Sequence, residues 1–524
     1  VAGNWTDNII PASGEDVEYA TVANYGSVAV KDLYVDSVRT IGNLINATSR
    51  RLVVPAGKSL TVNNSIFTNN NDSIIFVEST STLPTGTLIF NNPQNQPVHA
   101  TVQMYSPATW DLTRPVNQKY NWQFFGIPLR TLVAVRSLAG AYVRRYIETG
   151  TTISNHWIQL DDESVMSPFY TYELCQKNTK IYTFQGQLVN SNFNSGQLAK
   201  TVGAIYPGQH LLANPYLAGI DIRQIEFGSD MEASVYMYHT GTFGSWSSAA
   251  GGKVGESAGQ YVSVPQNQAG YSTVPRQVPA MGSMLVRIKT TVPSSTANCY
   301  VNLNYNALVM KNADLLRAPG KNKTKVDTAA VSTRIDVTGN NTQDKMWIFT
   351  KESCGRTFDN GDDGVKILGA ALQPQIYAIE PDGNYQINSV DDMNNTNIAF
   401  QAGEDTEYTL TFTHEHADTK YEKIYLHDLV ENTVTDITMS GSEYKFTAVS
   451  TPQAVNRFRI ITKSTNNASE EQSNIRVFVY NQNIYVQNFS ETSGSIYLYD
   501  VTGKLHSVKS VGASAVIAFP AMKY

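Results

Sequence analysis

The stretch GQHLLANPYLAGIDI, Gly208–Ile222, and the stretch YNWQFFGIPLRTL, Tyr120–Leu132, are two versions of one pattern. A short apolar run stops at a proline each time. Gly126 and Ile127 precede Pro128; Ala213 and Asn214 precede Pro215. Strand side chains alternate, so Trp122 and Phe124 face one way and Gln123 and Phe125 the other. Proline has no N–H for the ladder, and pairing ends there. Each copy is followed by a related piece, VMSPFYTYELC (Val165–Cys175) after the first and VPAMGSMLVRI (Val278–Ile288) after the second. The recurrence predicts a duplicated β-unit over residues 101–310, as two halves of one sandwich or two tandem sandwiches. Between the copies, RTLVAVRSLAGAYVRRYIE (Arg130–Glu148) is helical by propensity. Its alternation of Tyr142, Arg144 and Tyr146 with Val143, Arg145 and Ile147 instead predicts a turn, then a strand over Tyr142–Ile147.

Outward from this pair the chain keeps reading as strands. In residues 1–100, Leu44, Leu52 and Leu60 recur every eight residues, each in a short apolar run bounded by Asn, Ser or Gly. Such spacing without helical signals predicts a β-solenoid, with a β-sandwich as the competing reading. Lys311–Ala330 is a polar, basic linker. Residues 331–462 carry short strands at Ile335–Val337, Met346–Phe349, Gln375–Ile379, Tyr408–Phe412, Lys423–Leu426, Tyr444–Phe446 and Phe458–Ile461, with turn signals such as Asp382-Gly383. They predict an immunoglobulin-like or jelly-roll sandwich. Lys463–Asn474 is a second linker, and residues 475–524 form a small last unit with a hairpin turn at Thr502-Gly503. The expected fold class is therefore all-β: a short solenoid, tandem sandwich modules and a small immunoglobulin-like C-terminal domain.

Composition narrows the function. The chain has 524 residues, too many for one hydrophobic core, with net charge −6 and 16% charged residues. That balance does not mark a nucleic-acid binder. No apolar run reaches the ~18 residues of a membrane span. Three cysteines, Cys175, Cys299 and Cys354, show neither metal-ligand spacing nor a disulfide framework.

The last unit resembles the C-terminal sorting domain of proteins exported by the type IX secretion system of Bacteroidota. The resemblance rests on IRVFVYNQNIYVQNF followed by GSIYLYDVTGKL, in which Tyr499, Asp500, Gly503, Lys504 and Leu505 fill the family's hairpin motif. The family closes with one more strand where this chain stops at Tyr524, so an incomplete sorting domain is expected. Upstream, WQFFGIPL, HLLANPYLAGIDI, VPAMGSMLVRI, TFDNGDDGVKILG and the N-terminal NWTDNIIPASGEDVEY are similar to segments common in such surface proteins. The resemblance implies a secreted or cell-surface protein on the outer-membrane exterior. Its partners would be the shuttle and translocon components of that system, with cleavage in the 463–474 linker. It also implies the O-glycosylation sequon of those bacteria, matched at Ser37, Ser73 and Thr328.

Candidate chemistry is sparse. Asp359, Asp362 and Asp363 in FDNGDDG could hold Ca²⁺, but Asp and Gly are also what turns use, and the spacing is not that of an EF-hand. His414 and His416 in HEHAD lack the zincin partner, since Asp418 stands there. Gly57-Lys58-Ser59 lacks the phosphate-loop glycine at Leu52. Tyr236, Tyr238, Phe243 and Trp246 could stack a sugar, or pair across a hairpin. The leading expectation is a non-enzymatic adhesin or surface-assembly component with no cofactor and no catalytic residue, partnered by itself or by a glycan. A carbohydrate-binding protein is the alternative, and a secreted hydrolase the third.

Overall fold

The computed structural model describes residues 12–18, 32–46, 50–68, 71–91, 97–113, 120–152, 155–239, 260–310, 330–339, 342–369, 373–465, 475–480, 483–489, 492–499 and 504–520. Among these the chain is all-β, with helix confined to single turns such as Val135–Leu138 and Tyr305–Leu308. It divides into two compact units: residues 1–324 with 360–370, and residues 325–359 with 371–524.

The first unit begins with three sheets whose N-terminal strands pair in parallel. Leu44, Leu52 and Leu60 sit one on each, and all three are buried. Each pairs in parallel with a residue one circuit on: Leu44 with Ile66, Leu52 with Ile75, and Leu60 with Leu88. The eight-residue step is thus the passage from one sheet to the next. The last circuit does not end in a bare edge. Leu88 N–H donates to the Leu217 carbonyl at 2.8 Å, and Phe90 N–H donates to the Tyr305 hydroxyl at 3.1 Å.

The opening duplication then explains itself. In one copy Gln123–Phe125, Ala141–Tyr146, Trp157–Gln159 and Tyr172–Gln176 form a sheet whose spatial order is first, fourth, second, third. In the other, Gln209–Ala213, Ser234–His239, Gln260–Pro265 and Ser283–Arg287 repeat that order. The predicted strand after the turn is present, one residue earlier than expected. Strand registers make Gly126 the equivalent of Ala213, Thr171 of Ser283, and Phe169 of Met281. These equivalents meet. Gly126 N–H donates to the Met281 carbonyl at 2.9 Å, and Ala213 N–H donates to the Phe169 carbonyl at 2.8 Å. Phe169 and Met281 both hold positive φ, 67° and 56°. The hydroxyls of Thr171 and Ser283 lie 2.6 Å apart. The two copies are therefore related by a local pseudo-twofold axis.

On such an axis the two equivalent positions cannot both carry a Cβ. One added at Gly126 would stand 2.5 Å from the Ala213 Cβ. That is why the first copy reads Gly-Ile-Pro where the second reads Ala-Asn-Pro. Asn214 is fully buried and satisfied: its Nδ2 donates to the carbonyls of Ala218, Val278 and Pro279, and its Oδ1 accepts from Tyr216 N–H.

In the second unit one continuous sheet runs through Thr433–Asp436, Tyr421–Asp428, Val455–Ser464, Asn397–Gln401, Gln375–Glu380, Gly383–Val390, Gln343–Thr350, Val331–Thr338, Glu407–Glu415 and Glu443–Thr447. Each of the seven expected segments lies within one of these strands. Three strands are absent from the expectation, Thr433–Asp436, Gly383–Val390 and Asn397–Gln401, and the last two join the others into a single ladder instead of separate sheets. Gly383–Val390 hid because Gln386, Asn388 and Ser389 are buried beside Ile387, so polarity does not alternate with the pleat.

The sheet nearly closes, and its two edge strands are bridged by side chains. Thr433 Oγ1 lies 3.3 Å from the Tyr444 hydroxyl. Asp428, fully buried, accepts from Tyr444 Oη and from Arg457 Nε and Nη2 on one oxygen, and from the N–H groups of Val430 and Glu431 on the other.

Two outcomes follow from these contacts. Gly126→Ala should destabilise the first unit by ~1–3 kcal/mol through overpacking, and adding Ala213→Gly should recover most of the lost melting temperature. Asp428→Ala should cost ~3–5 kcal/mol, because it removes the buried partner of the Arg457 guanidinium and leaves only the exposed Glu431 carboxylate at 3.8 Å; urea denaturation measures it.

Candidate binding surfaces

Two of the four rings flagged as a sugar platform, Tyr236 and Tyr238, pack against other side chains of the first unit. Tyr236 is 1% exposed, and its hydroxyl donates to Glu232 at 2.6 Å. Tyr238 stacks on Phe124 with centroids 4.4 Å apart and meets Tyr261 edge-on at 5.2 Å. Register makes Tyr238 the equivalent of Tyr146, and Tyr261 the equivalent of Trp157. Aromatic alternation in both copies therefore marks the layer where the two sheets pack. No sugar can reach Tyr236, which corrects its assignment as a stacking residue. Phe243 and Trp246 lie outside the described residues.

At one end of this layer Arg144 spans Trp122 at 4.0 Å and ion-pairs with Glu173. Burial pushes Glu173 up to about 8 although Arg144 pulls it back. The adjacent Cys175 is pushed up to about 12 by burial, which disfavours a thiolate nucleophile. The sequence GESAG, Gly255–Gly259, has nucleophile-elbow spacing and was not among the expected sites; it lies outside the described residues. The element after it, Gln260–Pro265, is a strand pairing antiparallel with Ser234–His239, where an elbow requires a helix.

The candidate calcium ligands are engaged within the protein. Asp362 accepts from Asn267 Nδ2 and Gln268 Nε2, both at 3.0 Å, and Asp359 accepts from Gly355 N–H at 2.7 Å. No cluster of three or more metal-ligating side chains occurs among the described residues. His414 is likewise occupied, with Thr333 Oγ1 at 2.9 Å and the Ile437 carbonyl at 2.7 Å on its two nitrogens. His416 caps a single turn with φ 54°. Ser37 and Ser73 are exposed; Thr328 lies outside the described residues.

The last strands carry a cluster of exposed apolar side chains. Ile475–Tyr480, Asn483–Asn488 and Ala515–Pro520 form one antiparallel sheet, and Gly494–Tyr499 with Leu505–Val511 a hairpin. On the hairpin, Tyr497 pairs with Val508 and Tyr499 with Leu505, all between 45% and 55% exposed. Lys504 is exposed beside them, while Asp500 and Gly503 lie outside the described residues. On the first sheet Val477 and Val479 are 61% and 70% exposed. The opposite face of that sheet packs within the second unit. Tyr485 meets His427 edge-on at 5.8 Å, and Arg459 covers Phe478 at 5.1 Å.

Over 525 residues the chain is 34% identical to the minor fimbrium subunit Mfa5 of Porphyromonas gingivalis. The alignment covers 96% of this chain and 42% of that protein, so the chain spans less than half its length. No family model and no solved structure matches the chain. No helix among the described residues is long and apolar enough to cross a membrane.

His427 provides a pH test of the packing beneath the last strands. It is fully buried, and burial pushes it down to about 4 from an ordinary 6.5. The unfolded chain then binds a proton below ~6.5 that the folded chain refuses until ~4. Stability from this group is complete above pH ~6.5 and is lost as pH falls towards 4, by ~3 kcal/mol at most. Melting curves at pH 7 and pH 4.5 should show a smaller acid loss in His427→Gln than in the parent.

Proposed function

We propose that this chain is a structural part of a fimbria-like assembly on the surface of a Bacteroidota cell and acts through its surfaces, without catalysis. The observation that carries this reading is the 34% identity to a fimbrium subunit along 96% of the chain. The fold agrees with it. The aromatic rings and the buried polar groups described above serve packing, and the last strands, Ile475–Tyr480, Gly494–Tyr499 and Leu505–Val511, carry exposed apolar side chains of the kind through which proteins pair with one another.

The finer reading concerns export. Residues 475–524 act as a type IX sorting domain, with Tyr499, Asp500, Gly503, Lys504 and Leu505 as its motif and the secretion shuttle as its partner. What supports this is the motif together with the exposure of Tyr499 and Leu505 on one side of the hairpin.

Fractionation of the native organism tests both levels separately. The chain should reach the cell surface in the parent strain and remain in the periplasm when the secretion system is disrupted or residues 475–524 are deleted. Surface delivery undiminished by either change would remove the sorting role. Electron microscopy of sheared surface filaments with an antibody to this chain should label them; labelled outer membrane with bare filaments would remove the fimbrial role.

A further inference from the structure

The nearly closed sheet of the second unit carries a pocket that none of the above uses. Phe400, Ala402, Ala448, Val430, Val449 and Val455 form its apolar walls, and it is a hollow of about 380 Å³ open to solvent. That lies in the lower part of the range of small-ligand pockets, ~300–1,000 Å³, and such pockets favour the mouths of barrels. Phe400, Thr447, Val455 and Arg457 come from strands Asn397–Gln401, Glu443–Thr447 and Val455–Ser464, and Ala402, Val430, Ala448 and Val449 from the turns and loops that follow strand ends.

Two features define what would fill it. First, the one charged side chain at its wall and the carbonyls beside it are already engaged. Arg457 donates through Nε and Nη2 to Asp428 and through Nη1 to the Thr447 carbonyl. The Thr406 carbonyl accepts from Ala448 N–H, and the Thr451 carbonyl accepts from Gln401 Nε2. A charged ligand would give up water here with no unpaired charge to meet it, which is costly. Second, three aliphatic side chains at the mouth face water: Val430 at 57%, Val449 at 74% and Val455 at 45% exposure. Covering them while filling the pocket removes apolar surface from water at both places.

We propose that this pocket binds a small uncharged aliphatic molecule. The site stands on the geometry of the second unit and is independent of how the protein is exported or assembled.

Ligand-observed NMR on the full chain tests it with 1-octanol as the neutral probe and octanoate and octylammonium as charged counterparts of the same length. Octanol should bind saturably, and both ions at least ~tenfold more weakly, a gap of ~1.4 kcal/mol or more. Ala448→Phe fills the pocket and should abolish octanol binding while the melting temperature holds. Val449→Asp, at an exposed rim position where the fold is not at risk, should weaken octanol at least ~tenfold. Absence of saturable octanol binding, equal binding of octanoate, or octanol binding unchanged in both variants would each overturn the assignment.

Discussion

The first unit depends on a steric constraint at one point. Where two copies of a β-unit meet on a pseudo-twofold axis, equivalent residues approach each other, and the axis has room for one Cβ. Gly126 opposite Ala213 meets that constraint. Once the backbones are that close, the flanking contacts follow in matched pairs: the two amide-to-carbonyl bonds, the two residues at positive φ, and the hydroxyl pair of Thr171 and Ser283. The aromatic layer is set by the same approach, because Phe124 can stack on Tyr238 only when the sheets are held face to face.

The second unit relies on a different principle. A sheet that almost closes leaves two edge strands with unpaired backbone groups, which invite foreign strands. Here a buried carboxylate joins the seam. Asp428 receives five donors, and Arg457 is itself held over Phe446 at 4.4 Å. A buried ion pair of this kind adds little stability relative to well-packed apolar residues, but it makes other registers of the edge strands expensive. The pocket shares Arg457 with this seam.

Seven of the ten strands of the second unit's sheet were legible from alternation and turn residues, as was the duplication in the first unit. The eight-residue spacing of Leu44, Leu52 and Leu60 also carried real information, since each step crosses to a new sheet. Where reading failed, the cause was physical. Gly383–Val390 buries amides and hydroxyls as well as apolar groups, so its pattern resembles a loop. Tyr236 and Tyr238 looked like a ligand platform because aromatic alternation is the same whether the facing layer is a sugar or a second sheet. Nothing in FDNGDDG could tell that Asn267 and Gln268 would take up the Asp362 carboxylate.

What the chain's residues determined by themselves is local: which runs are strands, where proline stops them, which faces are apolar, and that one unit occurs twice. Those properties depend on neighbours a few residues apart. Only the tertiary structure decided which apolar faces meet each other, which polar groups are satisfied inside, and which aliphatic surface is left to water. Those outcomes depend on contacts between residues as distant in sequence as Gly126 and Met281, whose pairing no local pattern records.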